Sequence, residues 1–410
     1  MRFLKQTLLF ILASLTIANC NAEPKKSQTK SQPYLVVLSL DGFRWNYTDE
    51  ANTPVLDSLR KAGVFAEMIP SFPSKTFPNH YTLATGLYPD HHGIVMNSFY
   101  APGLKKFYSV SNRKSVRNGI LYGGEPIWNT ARKQGLRSAT LFWVGSEANI
   151  QNMHANIWYR YNQKLPFTDR IDSVYTWLSL PENIRPHLIM WYYPEPDGTG
   201  HHYGPHSPEV KKMVEQLDTW LGEYFTAMRR LPIFNQINFI ITSDHGMQSL
   251  SPERTVILDK YVDTADLKIV LGSNPVYNIK VKPGKLDIVY NALKKVAHIK
   301  VWKHDSLPAY LHYGHNPRTL DLTVVADPRW SIYWSGHVGH EKGTHGYDPI
   351  TDRAMHAIFY AAGPAFKNDY QEHSFKNVDL YPLMAKILHI IPAPSDGKLN
   401  EVKGMLNPQH

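Results

Sequence analysis

Four short stretches of this 410-residue chain bring aspartate and histidine together at turn signals. Asp41 ends YLVVLSLDG, Asp197 and His201 lie four apart in PDGTGHHYGP, Asp244 and His245 are adjacent in SDHG, and His345 stands between small residues in GTHGYD. A lone aspartate at a strand end is an ordinary turn or cap residue. Carboxylate and imidazole in this number are instead the ligand chemistry of zinc or a similar divalent ion. Six such ligands exceed the needs of one tetrahedral ion with an open position. They suit two ions, on the order of 4 Å apart, that clamp the attacking and leaving oxygens in phosphoryl transfer.

A hydroxyl nucleophile for such a site is offered by FPSKTFPNHYTLATG, in which Thr76 precedes Pro78, a residue favoured in the first turn of a helix. The spacing predicts a helix from Asn79 to Leu87. Two readings of Thr76 stand side by side. Hydroxyl residues at helix starts are usually caps. Beside a divalent cation, the same hydroxyl can lose its proton near neutral pH, while a phosphate oxygen faces the free N–H groups of the turn. Ser71, Ser74, Thr82 and Thr85 lack this placement.

The elements that must position these residues follow from the hydrophobic pattern. YLVVLSLDG (34–42) is a continuous apolar run and reads as a strand buried on both faces, followed by a helix in TPVLDSLRKAG (53–63). The alternation recurs in HLIMWYY (187–193), a helix over 208–230, INFIITSD (237–244), AMHAIFYAAG (354–363) and a helix over 377–390. Strands alternating with helices predict an α/β fold, a largely parallel central sheet covered on both faces as a three-layer α/β/α sandwich. Ligands then belong beyond the carboxyl ends of the strands, where the aspartates fall. Between about 273 and 335 the pattern changes to VYNIKV, KLDIVYNALKKV, KVWKHD and LDLTVVAD, a small α+β insert. The catalytic domain is expected over 33–402.

At 43% hydrophobic residues the chain has ample material for a core. Its net charge of +9 is spread along the sequence, which suits an anionic small-molecule substrate and gives no basis for duplex nucleic acid. Residues 1–22 have a basic start at Arg2 and Lys5 and an apolar run from Leu8 to Ala18, the layout of a signal peptide and too short for a membrane span. A polar linker follows at 23–32. The single cysteine, Cys20, lies in the leader, so no disulfide framework exists; IleAlaAsnCys also resembles a bacterial lipoprotein box with an unusual Asn19, offering a lipid anchor. The expectation is an exported protein, periplasmic or secreted; oligomeric state is not readable.

LSLDGFR, PSKTFPNHYTLATGLYPDHHGIVMN, FWVGSEANI, PEPDGTGHHYGP, SDHGM and GTHGYD, in this order, resemble the nucleotide pyrophosphatase/phosphodiesterase family of the alkaline phosphatase superfamily, in a bacterial member. The resemblance runs from about Tyr34 to PAPSDG. It implies two Zn2+ per chain, one held by Asp197, His201 and His345, the other by Asp41, Asp244, His245 and Thr76. It also implies that Thr76 is the nucleophile of a phospho-threonine mechanism and that Asn97 is a donor to a non-bridging phosphate oxygen. Phe77 matches the aromatic that packs on a nucleobase, and Tyr161 is its candidate partner, although aromatics are more often core. Pro349 departs from the family's usual asparagine without touching a ligand.

The expected activity is hydrolysis of nucleotide phosphodiester and pyrophosphate bonds to release 5′-nucleotides. Alternatives are a phospholipid head-group phosphodiesterase acting on lysophospholipid or glycerophosphocholine, a monoesterase of alkaline phosphatase type, and a non-catalytic metal-stabilised binding protein. His80, His91, His92, His202, His206, His337 and His340 lie in or near motifs and are expected behind the ligands or on the surface.

Overall fold

The computed structural model describes residues 32–409. The leader, Cys20 and nearly all of the linker lie outside the described residues.

Every residue of the strand Tyr34–Leu40 is buried. Leu35 and Val37 face one core, while Tyr34, Val36, Leu38 and Leu40 face another. This explains the unbroken apolar run: a strand covered on both sides has no solvent face to mark with polar residues. The first core takes the helices Thr76–Thr85, Ile127–Lys133 and Leu380–Ile387, the second Pro54–Ala62, Phe167–Leu178 and Pro208–Met228. The result is the expected three-layer α/β/α sandwich of alkaline phosphatase-like type.

Across the sheet the strands run in the order Tyr370–Gln371, Val64–Ile69, Ala357–Ala362, Ile237–Thr242, Tyr34–Leu40, Leu188–Tyr193, Ser138–Leu141 and Ile157–Trp158, with Phe375–Lys376 also on Val64–Ile69. Every pairing is parallel except the two made by Ala357–Ala362, which is antiparallel to both neighbours. Two consequences position the site. Val64–Ile69 points the same way as Ile237–Thr242, so its carboxyl end delivers the turn before Thr76 to the ligand edge. The reversed strand has its amino end at that edge, so His345, which precedes it, arrives there too. Apolar pattern alone shows a strand at 354–363 and carries no sign of its direction.

The insert is a four-stranded antiparallel sheet in the order Leu267–Ser273, Val276–Val281, Leu322–Ala326, Ile299–Lys303, with the helix Leu286–Leu293 packed on it. Its first strand lies ahead of the expected boundary near 273 because Leu267–Ser273 pairs with Val276–Val281 as a hairpin. The main core also continues past 402: Met405 and Leu406 are buried, Lys367 N–H donates to Met405 O at 3.0 Å, and Leu406 bridges Phe366. Two apolar residues in a polar tail were too weak a signal to extend the domain.

Glu67, on the strand that leads to Thr76, accepts two hydrogen bonds from Arg353 (2.8 and 2.6 Å) and one from His356. Burial alone would raise its carboxyl, but these partners lower it to about 2. A folded pKa below the unfolded one gives stability that is present at neutral pH and lost as pH falls from the ordinary carboxylate range toward about 2. Glu67→Gln should therefore lower the melting temperature at pH 7 and flatten its dependence on pH over that acid window, measured by thermal unfolding.

Candidate active site and metal centre

Asp41 follows the central strand and is 3% exposed. Gly42 after it adopts φ +68°, and a Cβ there would lie 2.8 Å from the backbone of Asp197, so glycine is needed for the two ligand turns to meet. The contact is closed by Asp197 N–H donating to Asp41 O at 3.0 Å. Asp197 opens the helix Asp197–Tyr203, which puts His201 one turn on along the same face, its Nε2 3.4 Å from Asp197 Oδ1. Asp244 and His245 leave Ile237–Thr242 fully buried. A two-residue ribbon, Gly343–Thr344 on Gln248–Ser249, then brings His345 against His245 with the rings stacked at 3.5 Å.

The three candidate ligand histidines are held alike. His201 Nδ1 meets Gly343 O at 2.8 Å, His345 Nδ1 meets Ser74 O at 2.7 Å, and His245 Nδ1 meets Gly246 O at 2.9 Å. A backbone carbonyl at Nδ1, with Nε2 turned inward, is the usual support of a metal-binding imidazole. Ligand atoms of Asp197, His245 and His345 lie within 4.8 Å of one another, as do those of Asp41, Asp244 and His245. His245 belongs to both groups, and His201 adjoins the first.

The donor set fits divalent cations. Asp41 Oδ1, Asp197 Oδ1 and Asp244 Oδ2 are buried with no hydrogen-bond partner among the described residues. Orphaned carboxylate oxygens are costly unless positive charge meets them. Burial, then the neighbouring Asp244 and Asp197, pushes the Asp41 carboxyl well above its ordinary range, the electrostatic signature of too much negative charge in one dry place. Burial likewise pushes His345 well down, with His245, Lys75 and His201 adding to it, so its imidazole is neutral and available as a ligand.

Thr76 is the first residue of the helix Thr76–Thr85, which starts three residues earlier than predicted because Pro78 sits inside the first turn. The capping position is Lys75, and no side chain caps this end. Thr76 Oγ1 instead lies 3.2 Å from His245 Nε2, at the ligand cluster. The cap reading of Thr76 is thus excluded by geometry. Asn97 Oδ1 accepts the Phe77 N–H at 3.0 Å, which leaves its amide NH2 and the Thr76 N–H without an acceptor among the described residues.

Phe77 and Tyr161 line one cavity of about 200 Å³ beside Thr76, together with Val110, Val116, Phe142 and Tyr192. Arg113 and Glu147, an ion pair, also line it, and Glu147 accepts the Tyr161 N–H. The two aromatics named from the sequence therefore line one pocket, while each also packs against a core, Phe77 on the first and Tyr161 on the second.

Sequence reasoning missed Tyr192 as a support and placed His80 behind the candidate ligands or on the surface without naming its partners. Tyr192 donates to Asp41 Oδ2 at 2.6 Å. It lies in the apolar run HLIMWYY, where a tyrosine carries no signal beyond burial. His80, fully buried, meets Ser39 Oγ at 2.9 Å, Thr76 O at 3.0 Å and approaches Asp244 Oδ2 at 3.1 Å, so it joins the Thr76 turn to Asp244. His92 is buried on Thr82 Oγ1 (3.0 Å), and His91, His202, His206, His337 and His340 are at least partly exposed. Tyr192→Phe should weaken metal binding about 10- to 100-fold, read by competition with a chromophoric chelator.

A covered α/β sheet with paired Asp/His clusters and a hydroxyl at its carboxyl edge defines a metallo-phosphodiesterase of the alkaline phosphatase superfamily. Residues 35–348 match the family model described as type I phosphodiesterase / nucleotide pyrophosphatase, and the chain belongs to this family of enzymes. It is 34% identical to human ectonucleotide pyrophosphatase/phosphodiesterase family member 5 over 401 residues, 97% of this chain and 83% of that protein. It is 36% identical to venom phosphodiesterase CdcPDE of Crotalus durissus collilineatus over 387 residues, 92% of this chain and 46% of that protein. The chain thus spans under half of the venom enzyme. The solved structure of murine family member 5 superposes with a TM-score of 0.88 at 34% identity, covering 92% of this chain and all of that one; an inactive form of it is in complex with AMP.

Proposed function

We propose that the protein is an exported zinc hydrolase that cleaves nucleotide phosphodiester and pyrophosphate bonds through a phospho-Thr76 intermediate and releases 5′-nucleotides. The observation that carries this reading is the position of Thr76 Oγ1, 3.2 Å from His245 Nε2 and at the mouth of a cavity walled by Phe77 and Tyr161. Asp197, His201 and His345 would hold one ion, and Asp41, Asp244, His245 and Thr76 the other. When bound, the ions supply positive charge that lowers the pKa of the Thr76 hydroxyl and neutralises the phosphoryl oxygens.

Thr76 Oγ1, having lost its proton, attacks phosphorus in line and the Oγ1–P bond forms as the bond to the leaving oxygen breaks. The Asn97 amide and the Thr76 N–H stand ready for a non-bridging oxygen whose charge grows in the transition state. Water then attacks phospho-Thr76 from the vacated side, so that two in-line steps give net retention. Phe77 and Tyr161 receive the base, and the apolar walls Val110 and Val116 exclude water beside it. A neutral amide in place of a cationic clamp favours diesters, whose phosphoryl group carries less charge than a monoester.

Export rests on the leader-like residues 1–22. Among the described residues no helix is long and apolar enough to cross a membrane. The function is tested by turnover of a dinucleotide, an aryl ester of a nucleoside 5′-monophosphate, a choline phosphodiester and an aryl phosphate monoester on the metal-loaded chain. The nucleotide diesters should be preferred by at least about 10-fold in kcat/KM. Preference for the choline ester would replace the nucleotide reading with the lipid head-group one, and preference for the monoester would overturn both.

A further inference from the structure

Arg170 has no exposed surface, and among the described residues its hydrogen-bond partners are backbone carbonyls and no carboxylate. A buried guanidinium without a counter-charge persists only if its donors are satisfied in another way. Here they go to backbone carbonyls. Nε donates to Leu165 O at 3.0 Å, Nη1 donates to Tyr192 O, and Nη2 reaches Asn162 O and Gln163 O at 3.5 Å each. Aromatic faces fill the rest: the guanidinium carbon lies 4.9 Å from the ring centroids of both Phe142 and Tyr193.

These contacts converge on one wall of the nucleoside cavity. Three of the four carbonyls belong to the loop just after Tyr161, most of which is exposed and has little apolar surface to hold it. The fourth belongs to Tyr192, which lines the cavity floor, and Phe142 both lines the cavity and meets the Tyr161 ring edge-on at 5.5 Å. On its other side the loop is tied by Glu147, which accepts the Tyr161 N–H. We propose that Arg170 is a positioning residue for nucleoside recognition, a buried fork that holds Tyr161 opposite Phe77 without itself touching the substrate.

This inference rests on the nucleoside reading of the cavity, and two substrates separate them. One is the p-nitrophenyl ester of a nucleoside 5′-monophosphate; the other is bis(p-nitrophenyl) phosphate, which has the same leaving group and no nucleoside. In the metal-loaded full chain, Arg170→Met should raise KM for the nucleotide ester about 10-fold or more while kcat/KM for the base-free diester stays within about 3-fold. Arg170→Lys, which keeps the charge and loses the fork, should behave like Arg170→Met, and it carries the test if the methionine variant does not fold. In a Tyr161→Ala background the Arg170 substitution should add little further loss, because both changes remove the same wall.

Equal losses on both substrates, or full additivity with Tyr161→Ala, would overturn the proposal. A parent enzyme that prefers the nucleotide ester while its Arg170 variants keep that preference defeats the positioning role alone. A parent enzyme with no preference defeats the nucleoside reading, and the positioning role with it.

Discussion

Thr76→Ala is expected to lower diester turnover by about 10⁴-fold or more, since removing a nucleophile removes the covalent route and leaves only binding and electrostatics. The fold should tolerate the change. Thr76 is half-buried, its hydroxyl caps nothing, and the helix end is anchored by Asn79, whose amide donates to Pro73 O and Lys75 O at 3.0 and 2.9 Å. Metal content should remain close to that of the parent, because the Asp and His ligands are untouched. Nucleotide binding should also remain, because the cavity walls come from other side chains. The decisive measurement pairs steady-state turnover with AMP titration on the same preparation. Binding with no turnover is the predicted outcome; retained turnover removes Thr76 from the mechanism. Thr76→Ser, which keeps the hydroxyl, should retain a measurable part of the activity.

Asp244→Asn should cost nearly as much by a different route. Asp244 is fully buried; its Oδ1 accepts the Gly42 N–H at 3.1 Å, a bond that an asparagine oxygen can keep. The other oxygen lies 3.1 Å from both His80 Nδ1 and His245 Nε2, facing the ligand cluster, and there the variant puts an amide nitrogen that can neither carry charge nor ligate. Although burial works against it, His245 and His80 hold the Asp244 carboxyl well below its ordinary range, so the native group is charged at neutral pH. We expect the variant to bind one divalent ion per chain rather than two by elemental analysis, with turnover lower by about 10³-fold. An unchanged circular dichroism spectrum would tie the loss to the site. Two ions with normal turnover would refute the assignment of Asp244 as a ligand.

The candidate site was more legible than its supports, and the reason lies in residue types. Asp41, Asp197 and Asp244 stand out because three carboxylates converge on the carboxyl ends of successive apolar strands, and His201, His245 and His345 sit among glycines that allow close approach. Phe77 could be named because it adjoins Thr76. Tyr192 and Arg170 could not, and His80 could be placed only behind the candidate ligands or on the surface. Each lies inside an otherwise ordinary strand or helix, where a polar group signals nothing until the partner it meets is known, and those partners lie well apart in the chain: Asp41 for Tyr192, Tyr192 O and Phe142 for Arg170.

By itself the sequence determined the alternation of buried strands and helices and the Asp and His residues that cluster at the carboxyl edge, both of which are carried by local pattern. Tertiary structure alone decided the rest. It reversed the strand Ala357–Ala362, which brings His345 to the same edge as Asp41. It began the helix at Thr76 and turned that hydroxyl from a cap into a neighbour of His245. It also set Tyr161 and Phe77 around one cavity. Strand direction and side-chain company are settled by contacts between distant segments, and no short-range pattern of residues records them.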